Sequence, residues 1–240
     1  MTSRIGMLTP SSNTVLEPVT CRLAAPFADR LSVHFSRFRV TEISDAQYSH
    51  DQFHVSPMLE AAKLLTDAHV NMIAWNGTSG SWEGIDKDLA LVQTIQAEAH
   101  VPATTSTLAL LDAFRALNVR RFGLVVPYVD TITGRIKETF VNAGFECVAS
   151  TNENISINYQ FAEIPASTLR ERIKQVAQAR PDAIAIHCTN LCGADVAQEL
   201  EEELGIPIID SVVVTLWAML RYLKIDAPLP GFTSSYTLSK

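Results

Sequence analysis

The chain has 240 residues, 47% of them apolar and 19% charged, an ordinary globular composition that excludes a disordered or collagen-like chain. That length suits one large domain or two of half the size, each able to bury a core. The net charge is −7 and the basic residues are scattered apart from short pairs such as Arg120-Arg121, so no nucleic-acid footprint is present, although a local donor-rich pocket can still hold an anion.

The opening MTSRIGMLTPSSN holds no apolar stretch long enough for a signal peptide. Within it Ile5-Gly6-Met7-Leu8 reads as a strand, stopped by Pro10 and followed by the polar Ser11-Ser12-Asn13. His54 to His69 predicts a helix with Met58, Leu59, Ala62, Leu65 and Ala68 on one side. His50 and His54 have a metal-like spacing, but no acidic or cysteine ligand is arranged with them, so they read as a surface helix start. Asn71 to Trp75 is a short buried strand that runs into the loop Asn76-Gly77-Thr78-Ser79-Gly80-Ser81. A helix over roughly Glu83 to Ala99 follows, then Pro102-Ala103-Thr104-Thr105-Ser106, then a helix carrying Leu108, Leu111, Phe114 and Leu117.

The same order then starts again. Arg121 to Val126 is a strand followed by Pro127-Tyr128-Val129-Asp130, and Ile132 to Ala143 and Ala166 to Ala179 are helices. Ala183 to His187 is a strand ending at Cys188-Thr189-Asn190-Leu191-Cys192-Gly193, with a helix through Glu203 behind it. After the segment Ile206 to Ser211, a helical run over Val213 to Leu223 closes the series. The most apolar stretch, Val212 to Leu223, is interrupted by Thr215 and Arg221 and is too short to span a bilayer. Strands alternating with helices argue for parallel βαβ units.

The two halves match at three places when overlaid: Gly6 on Gly123, Gly77 on Cys188, and Pro102 on Pro207. VPATTSTLALLDAF then faces IPIIDSVVVTLWAM, with Ser106 over Ser211. The offset shrinks along the chain, which implies modest deletions between two similar α/β halves. Open parallel sheets bind ligands outside the carboxyl ends of their strands. If the halves face each other about a pseudo-twofold axis, the loops Pro10–Asn13, Gly77–Ser81, Pro127–Asp130 and Cys188–Gly193 converge on one cleft.

Those loops carry the polar residues of interest. Asn76 to Ser81 is rich in glycine and hydroxyls and opens a helix, a setting that suits either an anion cradle or an ordinary capped turn. It is neither a P-loop nor a dinucleotide fingerprint, since GxxxxGK[ST] and GxGxxG are both missing. Cysteines stand at 21, 147, 188 and 192 without a CxxC pair, so the expectation is a reduced cytoplasmic protein with four thiols. Cys188 falls just after a strand and before a helix, which fits a reactive thiol as well as a buried small hydrophobe. Cys192 is expected one turn into that helix and serves packing. His187 adjoins Cys188, but neighbouring strand residues point to opposite faces. Ser-His-Asp catalysis lacks its GxSxG elbow, and Trp75, Trp82 and Trp217 read as core or pocket walls.

Gly6-Met7-Leu8-Thr9-Pro10-Ser11-Ser12-Asn13, Gly77-Thr78-Ser79, Tyr128 and Cys188-Thr189-Asn190-Leu191 resemble the aspartate/glutamate racemase superfamily. Within it they are similar to the branch of maleate cis–trans isomerases and arylmalonate decarboxylases. The resemblance runs over nearly the whole chain, and Thr104 to Asp130 is closest to the decarboxylases. It implies two pseudo-symmetric α/β halves, each with a mostly parallel four-stranded sheet flanked by helices and the active site in the cleft between them. The first half would take residues 1–112 and the second 113–215, with the segment 216–240 packing back onto the first.

The superfamily's usual site has two cysteines, one from each half, on opposite sides of the substrate carbon. Cys188 matches the second, whereas Gly77 stands where the first would be. The decarboxylases resemble this chain here, with a glycine in the first half and a working cysteine in the second. The resemblance therefore implies a cofactor-independent lyase acting on a malonate-like dicarboxylic acid. Thr78, Ser79, Tyr128 and Thr189 would cradle one carboxylate and the enediolate left by loss of CO₂, each aimed donor being worth roughly 3–4 kcal/mol. Cys188 would then donate a proton to one face. A donor must begin as a thiol, which a helix N-terminus disfavours and a nearby dianion favours. Other residues follow the isomerases instead. Ser11, Ser12 and Asn13 look like the isomerase version of the first loop, with Pro10 beside them as a further binding candidate; Asn158 resembles a second carboxylate-binding asparagine, and Asn190 stands where the decarboxylases have glycine.

Three functions are weighed on this basis. They are a decarboxylase of a substituted malonate, an isomerase or racemase with another group replacing the lost cysteine, and a non-catalytic small-acid binder. The expected partner is a small dicarboxylic acid, with no metal, cofactor, nucleic acid or membrane, and a homo-oligomer is the default assembly.

Overall fold

The computed structural model describes residues 2–225 and Leu229. The first half runs β1 (Ser3–Pro10), α1 (Leu16–Ala24), β2 (Leu31–Phe38), α2 (Gln47–Asp51), α3 (Val55–Asp67), β3 (Met72–Trp75), α4 (Gly80–Glu83), α5 (Ile85–Ala99), β4 (Ala103–Thr105) and α6 (Ser106–Ala116). The second runs β5 (Arg121–Val126), α7 (Asp130–Asn142), β6 (Glu146–Asn152), α8 (Asn158–Phe161), α9 (Ala166–Ala177), β7 (Ala183–Ile186), α10 (Ala194–Leu204), β8 (Ile208–Asp210) and α11 (Ser211–Tyr222). Each half builds a four-stranded sheet, ordered β2-β1-β3-β4 and β6-β5-β7-β8, and every pairing is parallel.

The halves repeat each other down to individual hydrogen bonds. Ile73 N donates to Pro102 O at 2.9 Å, and Ile184 N donates to Pro207 O at 2.8 Å. Gly6 and Gly123 lie in the first strand of each half, where a helix packs closely. A Cβ on Gly6 would press on Leu65 of α3, and one on Gly123 would meet Val176 of α9.

β2 and β6, whose segments carried no expectation, each lie at one edge of their sheet. Their middle positions are half-buried, so LSVHFSRF and ECVASTN lack the continuous apolar run that announced β1, β3, β5 and β7. The helix expected over roughly Glu83 to Ala99 is α5, and Gly84 at φ 114° separates it from the short α4 before it, a backbone that glycine adopts without strain.

α6 and α11 tie the halves together. Each packs on the other, and the ring of Phe114 in α6 lies among Phe122, Phe140 and Phe145 of the second half. α11 in turn packs on α1, β3 and β4 of the first half. The position between 112 and 113 falls inside α6. Of the segment 216–240, residues 226–228 and 230–240 lie outside the described residues. Among the described residues no helix is long and apolar enough to cross a membrane.

Candidate active site

In both sheets the chain reverses direction of travel between the two central strands, β1 and β3 in one and β5 and β7 in the other. Such switch points open a crevice at the carboxyl ends of the strands. The loops that leave those four ends supply Pro10, Gly77 with Thr78 and Ser79, Tyr128, and Cys188 with Thr189 to one cavity. Asn158 of α8, Trp75, Trp82, Val40, Ile43 and Phe53 complete its wall. The space is about 20 Å³, the room that one water requires. Among the described residues no Lys, Arg, His, Asp or Glu lines this wall, so an acid placed here would be held by neutral donors.

Cys188 sits two residues beyond the end of β7 and is 2% exposed. Burial pushes its thiol up to about 12, with Asp210 adding to the rise, while the Tyr128 hydroxyl and the backbone N–H groups of Asn190 and Leu191 pull the other way. Desolvation wins, and the group is a neutral thiol with a proton to give. The helix behind it starts only at Ala194, so Cys188 is not at a helix N-terminus, and the N–H groups around it belong to the intervening turn. Cys192 also lies in that turn rather than one turn into α10, a correction to the expectation; its Sγ faces the Ala162 carbonyl.

Tyr128 shares a 2.7 Å hydrogen bond with Thr78 Oγ1, and burial together with Cys188 raises its hydroxyl well above 10. Its ring is fixed edge-on by Trp82 and Phe161, at 5.1 and 5.4 Å between centroids. Ser79 Oγ accepts a 3.1 Å bond from the Trp75 indole N–H. Thr189 Oγ1 donates to Asn76 O at 3.3 Å and accepts from Asn13 Nδ2 at 3.2 Å.

Three of the expected binding residues stand behind the wall. Asn13 uses its Oδ1 to cap α1, accepting from Val15 N and Leu16 N. Asn190 bridges the halves, accepting from Thr14 N at 3.0 Å and donating to Asn158 O at 2.6 Å. Ser11 is exposed and its Oγ bonds the Val40 backbone. Asn158 Nδ2 reaches Ser12 Oγ at 2.7 Å, so Asn190, Asn158 and Ser12 form one chain of bonds between the halves. His187 is fully buried against Phe140, with burial pushing it down to about 3, and is a neutral core residue. His50 pairs with Glu83 Nδ1-to-Oε1 at 2.5 Å, and among the described residues no cluster could hold a metal ion.

Val40, Ile43 and Phe53 were not anticipated. They lie on the connection from β2 to α3, which crosses to the second half through Ile43 N to Ser156 O and Asn158 N to Thr41 O, at 2.8 and 3.0 Å. Nothing local in the sequence marks that crossing.

Comparison with known proteins assigns this arrangement. The pattern of the arylmalonate decarboxylase family matches residues 24–234. The chain belongs to that family. A maleate isomerase of Alcaligenes faecalis is 23% identical over 96% of this chain and 94% of its own. The arylmalonate decarboxylase of Bordetella bronchiseptica is 26% identical over 70% and 71%. Among solved structures, the maleate isomerase Iso from Pseudomonas putida S16 superposes with a TM-score of 0.88 at 23% identity, covering 100% of both chains. Unliganded arylmalonate decarboxylase gives 0.79 at 23% identity over 98% and 99%. The family thus joins carbon–carbon lyases and isomerases of small dicarboxylic acids on one fold.

Proposed function

We propose that this member is a cofactor-independent decarboxylase of a substituted malonate. The observation that carries the reading is the composition of the cavity wall, where one cysteine, Cys188, faces the space and a glycine, Gly77, stands at the matching point of the first half. A two-base racemase needs a proton acceptor and a donor on opposite faces, and a maleate isomerase of the resembled kind needs a nucleophile at 77. Decarboxylation needs one acid on one face.

One carboxylate of the substrate is held by Thr78, Ser79, Tyr128 and Thr189. The bond from the central carbon to the other carboxylate breaks, CO₂ leaves, and the electron pair enters the retained carboxylate as an enediolate. The same neutral donors stabilise the added charge, which is worth most in a dry site. Cys188 S–H then protonates the carbon, and the resulting thiolate regains its proton from water. A thiol held at about 12 is easily reprotonated near neutrality. The apolar Val40, Ile43, Phe53 and Trp82 disfavour a charged leaving carboxylate against neutral CO₂.

The test is proton NMR in D₂O with 2-methyl-2-phenylmalonate. The expected product is 2-phenylpropionate carrying one deuterium at the α-carbon, with turnover lost by about 100-fold or more in Cys188→Ala while malonate still binds. Full activity in that variant would overturn the assignment.

The maleate isomerase relatives, together with Asn158 in the cavity wall and Asn13 behind it, support a second reading as a cis–trans isomerase. It predicts fumarate from maleate at a rate that exceeds decarboxylation, measured in the same tube.

A further inference from the structure

The first-half side of the cavity is filled rather than merely lacking a thiol. A Cβ built on Gly77 would lie within 3.0 Å of three atoms of the Trp75 indole, Cζ2, Cε2 and Cη2, a separation that real Cβ atoms essentially never show. Trp75 is 1% exposed and its ring rests on Phe38 at 4.9 Å between centroids. Its Nε1–H is held by Ser79 Oγ. A flexible side chain would swing aside, but this indole is pinned on one face by an aromatic ring and at its polar edge by a hydrogen bond. Gly77 is therefore not an open position awaiting a cysteine.

We propose that Trp75 is the positioning residue that commits this site to single-face chemistry. It does so in two ways. Its benzo ring takes the direction in which a side chain at 77 would project, so the wall opposite Cys188 is an inert hydrocarbon. Its N–H occupies a lone pair of Ser79, which leaves the serine hydroxyl proton to point at a bound carboxylate, since a hydroxyl accepting one bond is free to donate another. The role in catalysis rests on the decarboxylase reading. The steric role does not.

A double-mutant cycle separates the two. Gly77→Cys in the native background should lower the melting temperature by about 6 °C, because overpacking a rigid core is destabilising. In a Trp75→Phe background, which deletes the ring atoms nearest the added Cβ, the same substitution should cost about 2 °C or less. Equal losses in both backgrounds would overturn the steric claim, whatever the enzyme's substrate. Trp75→Leu provides a second background should the phenylalanine pack in an altered pose.

The catalytic claim is read on enantiopure 2-phenylpropionate in D₂O. Exchange of its α-proton should be at least about tenfold faster in Trp75→Phe/Gly77→Cys than in Gly77→Cys alone. Gly77→Cys exchanging as fast as the double variant would overturn it. The hydroxyl-aiming claim is read on KM. Ser79→Ala should raise KM for 2-methyl-2-phenylmalonate about tenfold in the native background and about twofold or less with Trp75→Phe. Equal increases would overturn that part. Should the native enzyme turn over no malonate at all, the decarboxylase reading fails, and the melting-temperature cycle still decides the place of Trp75.

Discussion

Tyr128 has two neighbours that matter, the Thr78 hydroxyl at 2.7 Å and the Cys188 thiol. A phenol raised well above its ordinary value by burial stays neutral through any physiological pH, so it acts as a fixed donor and not as a base. Tyr128→Phe removes one O–H while keeping the ring between Trp82 and Phe161. The expected result is a loss of about 100-fold in kcat, as for one oxyanion donor, with a melting temperature lowered by only a few degrees. A variant that loses KM alone would place the hydroxyl in ground-state binding instead. The apolar runs located the loops of Cys188, Thr78 and Tyr128, which lie two or three residues beyond the ends of β7, β3 and β5; the roles expected of these residues came from the family resemblance. Trp75 was legible only as a wall. Its meaning depends on where the chain turns at residue 77, and no sequence period reports that path.

At the scale of elements, each half hides a carboxylic acid behind its reactive loop. Asp88 of α5 is 3% exposed, accepts a hydrogen bond from Thr105 Oγ1, and lies where a Cβ on Gly80 would stand. Asp210 caps α11 through Val212 N and Val213 N, and its other oxygen faces Gly193 at the start of α10. Burial raises both from 3.8 to about 7. A folded pKa above the unfolded one means the native state binds more protons between the two values, so this stability is full below about pH 4 and is lost as pH rises through 7. At about 1.4 kcal/mol per unit, each acid weakens the fold by about 2–4 kcal/mol at pH 8 relative to pH 4. Asp88→Asn keeps an acceptor for Thr105 and removes the titration. Its melting temperature should exceed that of the parent by roughly 5 °C at pH 8, with the advantage shrinking towards pH 5. Parallel curves for the two proteins would show that Asp88 does not titrate there. Sequence reading passed over both acids, because an aspartate in an amphipathic helix and one before an apolar helix look like surface and cap. β2 and β6 escaped for a related reason: half-burial leaves no apolar run.

Across the whole molecule, the repeat visible in Gly6/Gly123 and Pro102/Pro207 describes two sheets but not two independent cores. One cluster of buried side chains runs from Ile5 and Leu16 through Phe114 to Phe140 and Leu220, because α6 and α11 each serve the opposite half. The overlay that paired Ser106 with Ser211 located these helices as equivalents; their crossing arises from the chain passing between sheets and is not written in either helix's pattern. The cavity depends on that crossing, since Thr215 of α11 donates to Ser106 of α6, which donates to Asn76 beside Gly77. We therefore propose that the halves unfold together. Calorimetry should give a single transition with equal calorimetric and van't Hoff enthalpies. Phe114→Ala, which empties the aromatic cluster joining α6 to the second half, should cost about 3–5 kcal/mol and move that one transition down by roughly 10 °C. If Phe114→Ala instead splits the trace into two transitions, or if the parent already shows two, the halves have separate stabilities. The cleft would then be an interface between domains and not part of one core.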